Sequence, residues 1–255
     1  MTNLELLKSA KEYLNKDQEE ENERQAKDKE HIINKLETLL KTSDEEIIVN
    51  EIAELRKIIE SEEDSLKRER NYKNKAHSHS TIASCQTIIS NLEKYLATKD
   101  ENDLPFQLRD KRYLQSLSEQ ELQQLFENLR KTKGYGDKFF DIKRIQSCSE
   151  EQLINEEIDD MITEIRGAKA AIELLQSRKL NPNDKLCKDY KKLISTLYEQ
   201  FTKMVEWKKN PALPLPRVIA EKREYDAMSD EEIVDLINNY EQYRAVDYEL
   251  SRLMT

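Results

Sequence analysis

The stretch SEEQLINEEIDDMITEIRGAKAAIELL, residues 149–175, decides the fold class that the sequence predicts. Its apolar residues recur at alternating steps of four and three, which is the spacing of a seam along one face of a helix. The short Asn-Pro-Asn-Asp turn at residues 181–184 favours an antiparallel neighbour, so the expected partner is the helix after Pro182. By the same logic, apolar residues in 48–59 are expected to face those in 82–96. The seam residues are Ile154, Ile158, Met161, Ile165, Ala168, Ile172 and Leu175.

The serine that begins this stretch belongs to a motif found four times: SDEEI at 43–47, SEQEL at 118–122, SEEQL at 149–153 and SDEEI at 229–233. In a capping box, the serine hydroxyl accepts from the amide three residues on, and the Glu or Gln there accepts from the serine amide. The acids that follow each serine oppose the positive end of the helix dipole. The motif therefore predicts four helix starts. Phosphorylation by an acid-directed kinase is the alternative interpretation of the same serines.

Glycine and proline are scarce along the whole chain. The 255 residues contain three glycines and five prolines, and none of these lies in the first 104 residues. Sheet proteins need many turns that use these residues, and phosphate-cradling loops such as GxGxxG need clustered glycines. The scarcity excludes both classes. The predicted fold is all-α, an elongated bundle or repeat of long antiparallel helical hairpins.

The spacing of the capping motifs indicates a tandem duplication. Ser43 and Ser149 are 106 residues apart, and Ser118 and Ser229 are 111 apart. Aligning 110–128 with 221–239 gives six identities in 19 positions, among them Lys111 with Lys222 and Arg112 with Arg223. We therefore divide the chain into an N-terminal helical arm at 1–42, a first repeat at 43–148 and a related second repeat at 149–255.

Two regions have exceptional composition. Residues 17–30 of the arm contain no apolar side chain except Ala26, so the segment 15–31 is either a solvated helix or disordered. Gly134 and Gly136 lie near the junction of the two repeats, where a break is expected. Gly167 lies inside the seam, where it permits a close helix approach or a bend.

Charge and cysteine content limit the partners and the compartment. A net charge of −10 argues against general nucleic-acid binding, which depends on concentrated Lys and Arg. The sequence shows no secretory signal and no apolar run long enough to cross a membrane. Three widely separated cysteines suggest reduced thiols in the cytoplasm, with export by a signal-less route as the alternative.

No motif predicts catalysis, a metal or a cofactor. His77, His79 and Cys85 resemble a metal-ligand set, but no second pair of ligands accompanies them. Both histidines lie in a segment, 67–80, that interrupts the apolar pattern and is predicted to be a loop. Cys85 and Cys187 occupy apolar helix positions typical of buried thiols, whereas Cys148 precedes a cap. Dense acids such as those at 156–160 are typical of solvated helix faces.

Three groups of residues are candidates for partner binding. The first is the basic segment, which could contact phosphate, an anionic membrane or an acidic protein, or be only a solvated loop. The second surrounds three prolines at 211–216, which form either a structural clasp or a rigid apolar strip. The third lies on the terminal helix, where Tyr and Arg suit an interface or a bundle core. The candidates are Lys67, Arg68, Arg70, Lys73 and Lys75; Trp207, Leu213, Leu215 and Arg217; and Tyr240, Tyr243 and Arg244.

Taken together, these features predict a non-enzymatic scaffold or adaptor that binds another protein through helical hairpins. The alternatives are a homo-oligomeric coiled-coil protein, which would self-associate, and a host-directed microbial effector module. An enzyme whose site follows no known motif is the remaining alternative.

Overall fold

In a computed structural model, the chain is described at residues 3–100, 104–134, 136–177 and 185–253, with side chains from residue 20 to 241 except Tyr72. This part of the chain is all-helical: it holds ten helices and no strand. None of the described helices is apolar over enough of its length to span a bilayer. The helices are α1 (Asn3–Lys41), α2 (Asp44–Arg68), α3 (Tyr72–Thr98), α4 (Phe106–Ser116), α5 (Glu119–Lys131), α6 (Lys138–Ser147), α7 (Glu150–Ser177), α8 (Lys185–Lys209), α9 (Arg217–Asp226) and α10 (Asp230–Leu253).

All four predicted helix starts are confirmed. Ser118, Ser149 and Ser229 each make the reciprocal pair of bonds that defines a capping box. Ser43 makes half of it, because its hydroxyl accepts from the Glu46 amide at 3.1 Å. These boundaries were predictable because a cap depends on residues only three apart.

The helices form two compact units, each assembled from separate parts of the sequence. The first, which we call the terminal unit, comprises residues 1–41, 113–147 and 224–255. The second, the central unit, comprises residues 42–112 and 148–223. The division of the chain at 42 and 148 stays a prediction, because it concerns the ancestry of the sequence rather than its spatial grouping.

The terminal unit buries an aromatic core between α1, α5, α6 and α10. Phe139 and Phe140 of α6 are almost fully buried beside Ile33 of α1, Leu129 of α5 and Ile233 of α10. The backbone of residues 15–31 belongs to α1, so the helical alternative holds for this segment. Gly134 and Gly136, with φ of +78° and +96°, turn the chain between α5 and α6, as the expected break requires.

The central unit packs α3 against both α2 and α7, and α7 also against α8. The contact between α3 and α7 is the most extensive, whereas the sequence predicted α8 as the partner of the seam. Gly167 makes this approach possible: a Cβ built there would lie 2.6 Å from the Ser84 hydroxyl and 3.0 Å from the Ser80 carbonyl oxygen. The predicted turn at 181–184 lies outside the described residues.

The predicted loop at 67–80 is wrong. Helix α2 continues to Arg68 and α3 begins at Tyr72, so only residues 69–71 separate them. The apolar pattern fails here because small side chains form the contact. Ala76 and Ser78 of α3 are buried, and Ala76 packs on Ala171 of α7. Small residues allow close helix packing without the large apolar side chains that mark a seam.

Candidate interaction surfaces

The sequence-predicted binding residues lie on separate surfaces. Trp207 is in the last turn of α8 and only 5% exposed, so its ring belongs to the core of the central unit. Leu213 and Leu215 follow it in the proline-rich segment, where both are exposed. Arg217 begins α9 and forms an ion pair with Glu221 at 2.6 Å. The exposed leucines give this segment an apolar surface, and the buried tryptophan anchors the helix before it.

Tyr240 exposes its aromatic ring on the surface of the terminal unit. It is 56% exposed, and the Lys138 ammonium lies 4.5 Å from its centroid, within the range of a cation–π contact. The same ammonium donates to Glu241 at 2.5 Å. The side chains of Tyr243 and Arg244 lie outside the described residues.

The basic candidates surround the junction of α2 and α3. Lys67 donates to Asp64 at 2.8 Å, and Arg68 lies 4.0 Å from the same carboxylate. Arg70 and Lys73 are exposed and Lys75 is half-buried. Because α3 begins at Tyr72, Lys73 and Lys75 extend from the first turn of a helix rather than from a loop.

The candidate metal and nucleophile residues carry no catalytic geometry. No cluster of three or more His, Cys, Asp or Glu side chains suited to a metal occurs among the described residues. Cys85 and Cys187 are buried, as predicted, and Cys148 is half-buried. Burial raises the pKa of the Cys85 thiol, with Glu62 adding to the effect. A reactive cysteine needs the opposite shift, because the thiolate is the nucleophile.

A groove in the central unit was not predicted from the sequence. It lies between α3, α4 and α7 and has a volume of about 370 Å³. Ile88, Leu104 and Ile158 supply apolar walls, and Asp160 lies at its edge. Phe106 forms part of the lining, yet its side chain is 56% exposed. The other lining residues are mostly polar, so the groove is of mixed character. An exposed aromatic ring beside such a groove is a typical contact point for another molecule.

Arg109 fixes the polar side of this groove. Its side chain is 14% exposed, its Nε lies 3.5 Å from Glu156, and its Nη2 lies 3.8 Å from Asp159. The guanidinium carbon is 5.9 Å from the centre of the Phe106 ring, at the outer limit of a cation–π contact. The ion pairs hold Arg109 beside the ring, so the groove combines apolar and charged lining residues.

The sequence contained one signal for Phe106. Leu104-Pro105-Phe106 resembles Leu213-Pro214-Leu215 in the proline-rich segment, and both triplets precede a short helix. Each triplet exposes its third residue, Phe106 at 56% and Leu215 at 42%. Sequence alone could not place α7 opposite Phe106, because that depends on tertiary contacts between distant segments.

Comparisons with known proteins do not add a relative. No family model, no curated protein and no solved structure gives a significant match to this chain.

Proposed function

We propose that this chain is a non-enzymatic interaction scaffold whose central unit binds a segment of another protein in the groove between α3, α4 and α7. The observation that carries the proposal is the exposed ring of Phe106 beside a groove of about 370 Å³ whose lining is part apolar and part polar. A groove of this volume accommodates one or two apolar side chains of a partner. Arg109 and its acidic neighbours at the wall then offer polar contacts that orient the bound segment.

The tandem duplication belongs to the same proposal, and paired contacts in the central unit support it. Arg112 donates to Asp44, the first residue of α2, at 2.6 Å. Arg223 occupies the corresponding place in the second repeat and donates to Glu150, the first residue of α7, at 2.7 Å. The lysines that precede these two arginines are both buried. A duplicated ion pair that fastens a short helix to a long one would explain why both short helices, α4 and α9, contain Lys-Arg.

The duplication also predicts two related contact points. If Leu213-Pro214-Leu215 descends from the same ancestral connector as Leu104-Pro105-Phe106, its exposed leucine is a second apolar contact of the same kind. A scaffold with two such points would gain affinity for a partner that reaches both.

Site-specific photo-crosslinking tests the proposal. A photoreactive phenylalanine analogue is placed at Phe106 and, as the matched control, at Ile58, which is 44% exposed on α2. We expect irradiation in a lysate from the source cells to give adducts with a discrete partner at residue 106 that are absent at residue 58. Phe106→Asp should abolish capture of that partner, whereas Ile58→Asp should not. The same adducts at both positions, or none at either, would refute the groove as a binding site.

The same crosslinking experiment, combined with sedimentation, distinguishes the scaffold from the homo-oligomeric alternative. An adduct between two copies of the chain has twice the chain mass, and a concentration-dependent sedimentation coefficient would accompany it. A monomer at every concentration, with a heterologous adduct at residue 106, supports the scaffold.

A further inference from the structure

One end of the central unit brings together the starts of two helices. Ala76, in the second turn of α3, belongs to one buried cluster with Leu175 at the end of α7 and Cys187 at the start of α8. The first turns of α3 and α8 therefore lie at the same end of the unit, beside the last turn of α2. We call this surface the basic end and define it as residues 64–75 and 185–192.

The basic end has a charge opposite to that of the whole chain. Its two stretches hold nine Lys and Arg side chains against three Asp and Glu, in a protein with a net charge of −10. Helix α8 adds four exposed lysines to the five basic residues at the junction of α2 and α3. The added lysines are Lys185, Lys188, Lys191 and Lys192.

Two of the three acids of the basic end are already engaged locally, and the third, Asp189, is exposed on α8. Asp64 accepts from Lys67 at 2.8 Å. Glu69 accepts from the amides of Arg70 and Asn71 and from the side chain of Asn74. These hydrogen bonds lower the pKa of Glu69, and the bond from Asn74 has the largest effect. The Glu69 carboxylate therefore stays ionised and bound within the turn between α2 and α3.

Within the described part of the chain, several lysines of the basic end have no compensating acid. No salt bridge within 4 Å joins Lys73, Lys185 or Lys188 to a described residue. Lys75 lies near enough to Glu69 to contribute to the lowered pKa of that carboxyl. The outward charge of this surface is therefore strongly positive.

Four of these lysines lie at the N-terminal ends of their helices, where a positive charge destabilises the helix. Helices α2, α5, α7 and α10 carry acids in their first turns, which suits the positive end of the helix dipole. Helices α3 and α8 carry none there, and Lys73, Lys75, Lys185 and Lys188 fall in their first turn or next to it. A cation in that position costs about 0.3–1 kcal/mol at the surface. An external anion next to these two helix starts would offset that cost.

We propose that the basic end docks the protein on an anionic lipid bilayer. Seven of its nine basic residues are lysines, whose flexible point charges suit a diffuse array of headgroups. Arginine would be expected for bidentate recognition of a defined carboxylate or phosphate. The one aromatic ring described there, Tyr190, is half-buried, and burial raises its pKa. It is not placed to stack on bases, which disfavours single-stranded nucleic acid.

Vesicle co-sedimentation with the full chain tests the proposal. The probes are phosphatidylcholine vesicles with and without about 30% phosphatidylserine, at about 0.05 and 0.5 M salt. We expect binding only to the anionic vesicles, and loss of it at high salt. The variant with Lys73→Gln, Lys75→Gln, Lys185→Gln and Lys188→Gln should bind about a thousand-fold more weakly, because each basic residue near a membrane contributes about 1 kcal/mol and each 1.4 kcal/mol is tenfold in affinity.

A control variant keeps the net charge equal. It changes four exposed lysines elsewhere, Lys27, Lys35, Lys203 and Lys209, to Gln, and we expect it to bind the anionic vesicles like the unmodified chain. The basic-end variant should also unfold at the same or a higher urea concentration, because it removes cations from helix starts. That result separates lost binding from lost folding.

Three results would overturn the inference. The first is absence of binding to anionic vesicles at low salt. The second is an equal loss of binding in the control variant. The third is binding of the unmodified chain to poly-glutamate or duplex DNA but not to the vesicles, which would assign the surface to another class of anion.

Discussion

Gly167→Ala tests the closest helix contact of the central unit. A Gly-to-Ala change inside a helix normally stabilises by about 1 kcal/mol. Here the new Cβ would meet the Ser84 hydroxyl at 2.6 Å, the Ser80 hydroxyl at 2.8 Å and the Ser80 carbonyl oxygen at 3.0 Å. The hydroxyls can rotate away, but the carbonyl belongs to the backbone of α3, so the two helices must separate.

The gain in helix propensity and the steric clash with α3 have opposite effects on stability, and the clash is the larger of the two. Forcing an extra carbon into a packed contact costs about 1–3 kcal/mol. Because the Ser80 carbonyl oxygen cannot rotate away, we expect a cost towards the upper end of that range. We expect a net destabilisation of about 1 kcal/mol after the gain in helix propensity. Gly167→Leu should cost far more, because no rotamer avoids α3.

The assay is urea unfolding followed by the fluorescence of Trp207. This is the only tryptophan in the chain, and it is buried in the same unit as Gly167. A loss of about 1 kcal/mol lowers the midpoint by roughly 0.5 M urea. Ala53→Gly, at an exposed site on α2, measures the propensity term in this protein. Ser84→Ala should recover part of the loss in the double variant.

The reasoning fails if Gly167→Ala raises the midpoint by as much as Ala53→Gly lowers it. That outcome would mean that propensity alone acts at residue 167 and that α3 and α7 are not in close contact there.

Three further predictions concern charge and backbone strain. Asp44→Ala should cost about 3 kcal/mol, because it leaves the buried ammonium of Lys111 without its carboxylate. A hydrogen bond from Arg112 lowers the pKa of Asp44, so the ionised carboxylate stabilises the fold above the ordinary carboxyl pKa, and this stabilisation is lost as pH falls. Asp44→Asn should therefore make the free energy of unfolding less dependent on pH in the acid range. Burial, and after it the charge of Asp160, raises the pKa of Glu157, so ionisation of this carboxyl destabilises the fold as pH rises. Glu157→Gln should therefore raise the urea midpoint at pH 7.5 but not at pH 4. Gly136→Ala, with open space around it, should cost about 1–2 kcal/mol of strain by thermal melting, and Gly134→Ala more, because its Cβ also meets a glutamate side chain.

The helix starts were predictable where the signal is local. The packing of α2 on α3 and of α8 on α7 agrees with the pairs expected from the apolar periods, whereas the larger contact of α7 with α3 was not predicted. Capping depends on four consecutive residues, so Ser118 and Ser229 fixed their helix starts from sequence alone. The start of α3 was missed because Ala76 and Ser78 make its contacts, and small residues carry no apolar period. A seam indicates which face is buried but not which helix covers it, so the pairing of α7 with α3 could not be deduced.

The binding surfaces follow the same rule. The basic residues at 67–75 were visible as a run of charge in the sequence. Their continuation on α8 was not, because more than a hundred residues separate Lys75 from Lys185. The two segments meet through the buried cluster that contains Ala76 and Cys187, which is a tertiary feature. Phe106 was likewise identifiable as an apolar residue after proline, whereas its groove depends on Ile158 in a distant helix.

The discontinuous make-up of the terminal unit has a consequence during synthesis. Ile33 of α1 is covered in part by Ile233 of α10, which leaves the ribosome roughly 200 residues later. At about 5–20 residues per second, the apolar stripe of α1 waits some ten to forty seconds for its last neighbour. The nascent chain therefore presents an uncovered amphipathic helix throughout that interval, and we expect chaperones that act at the exit tunnel to bind it.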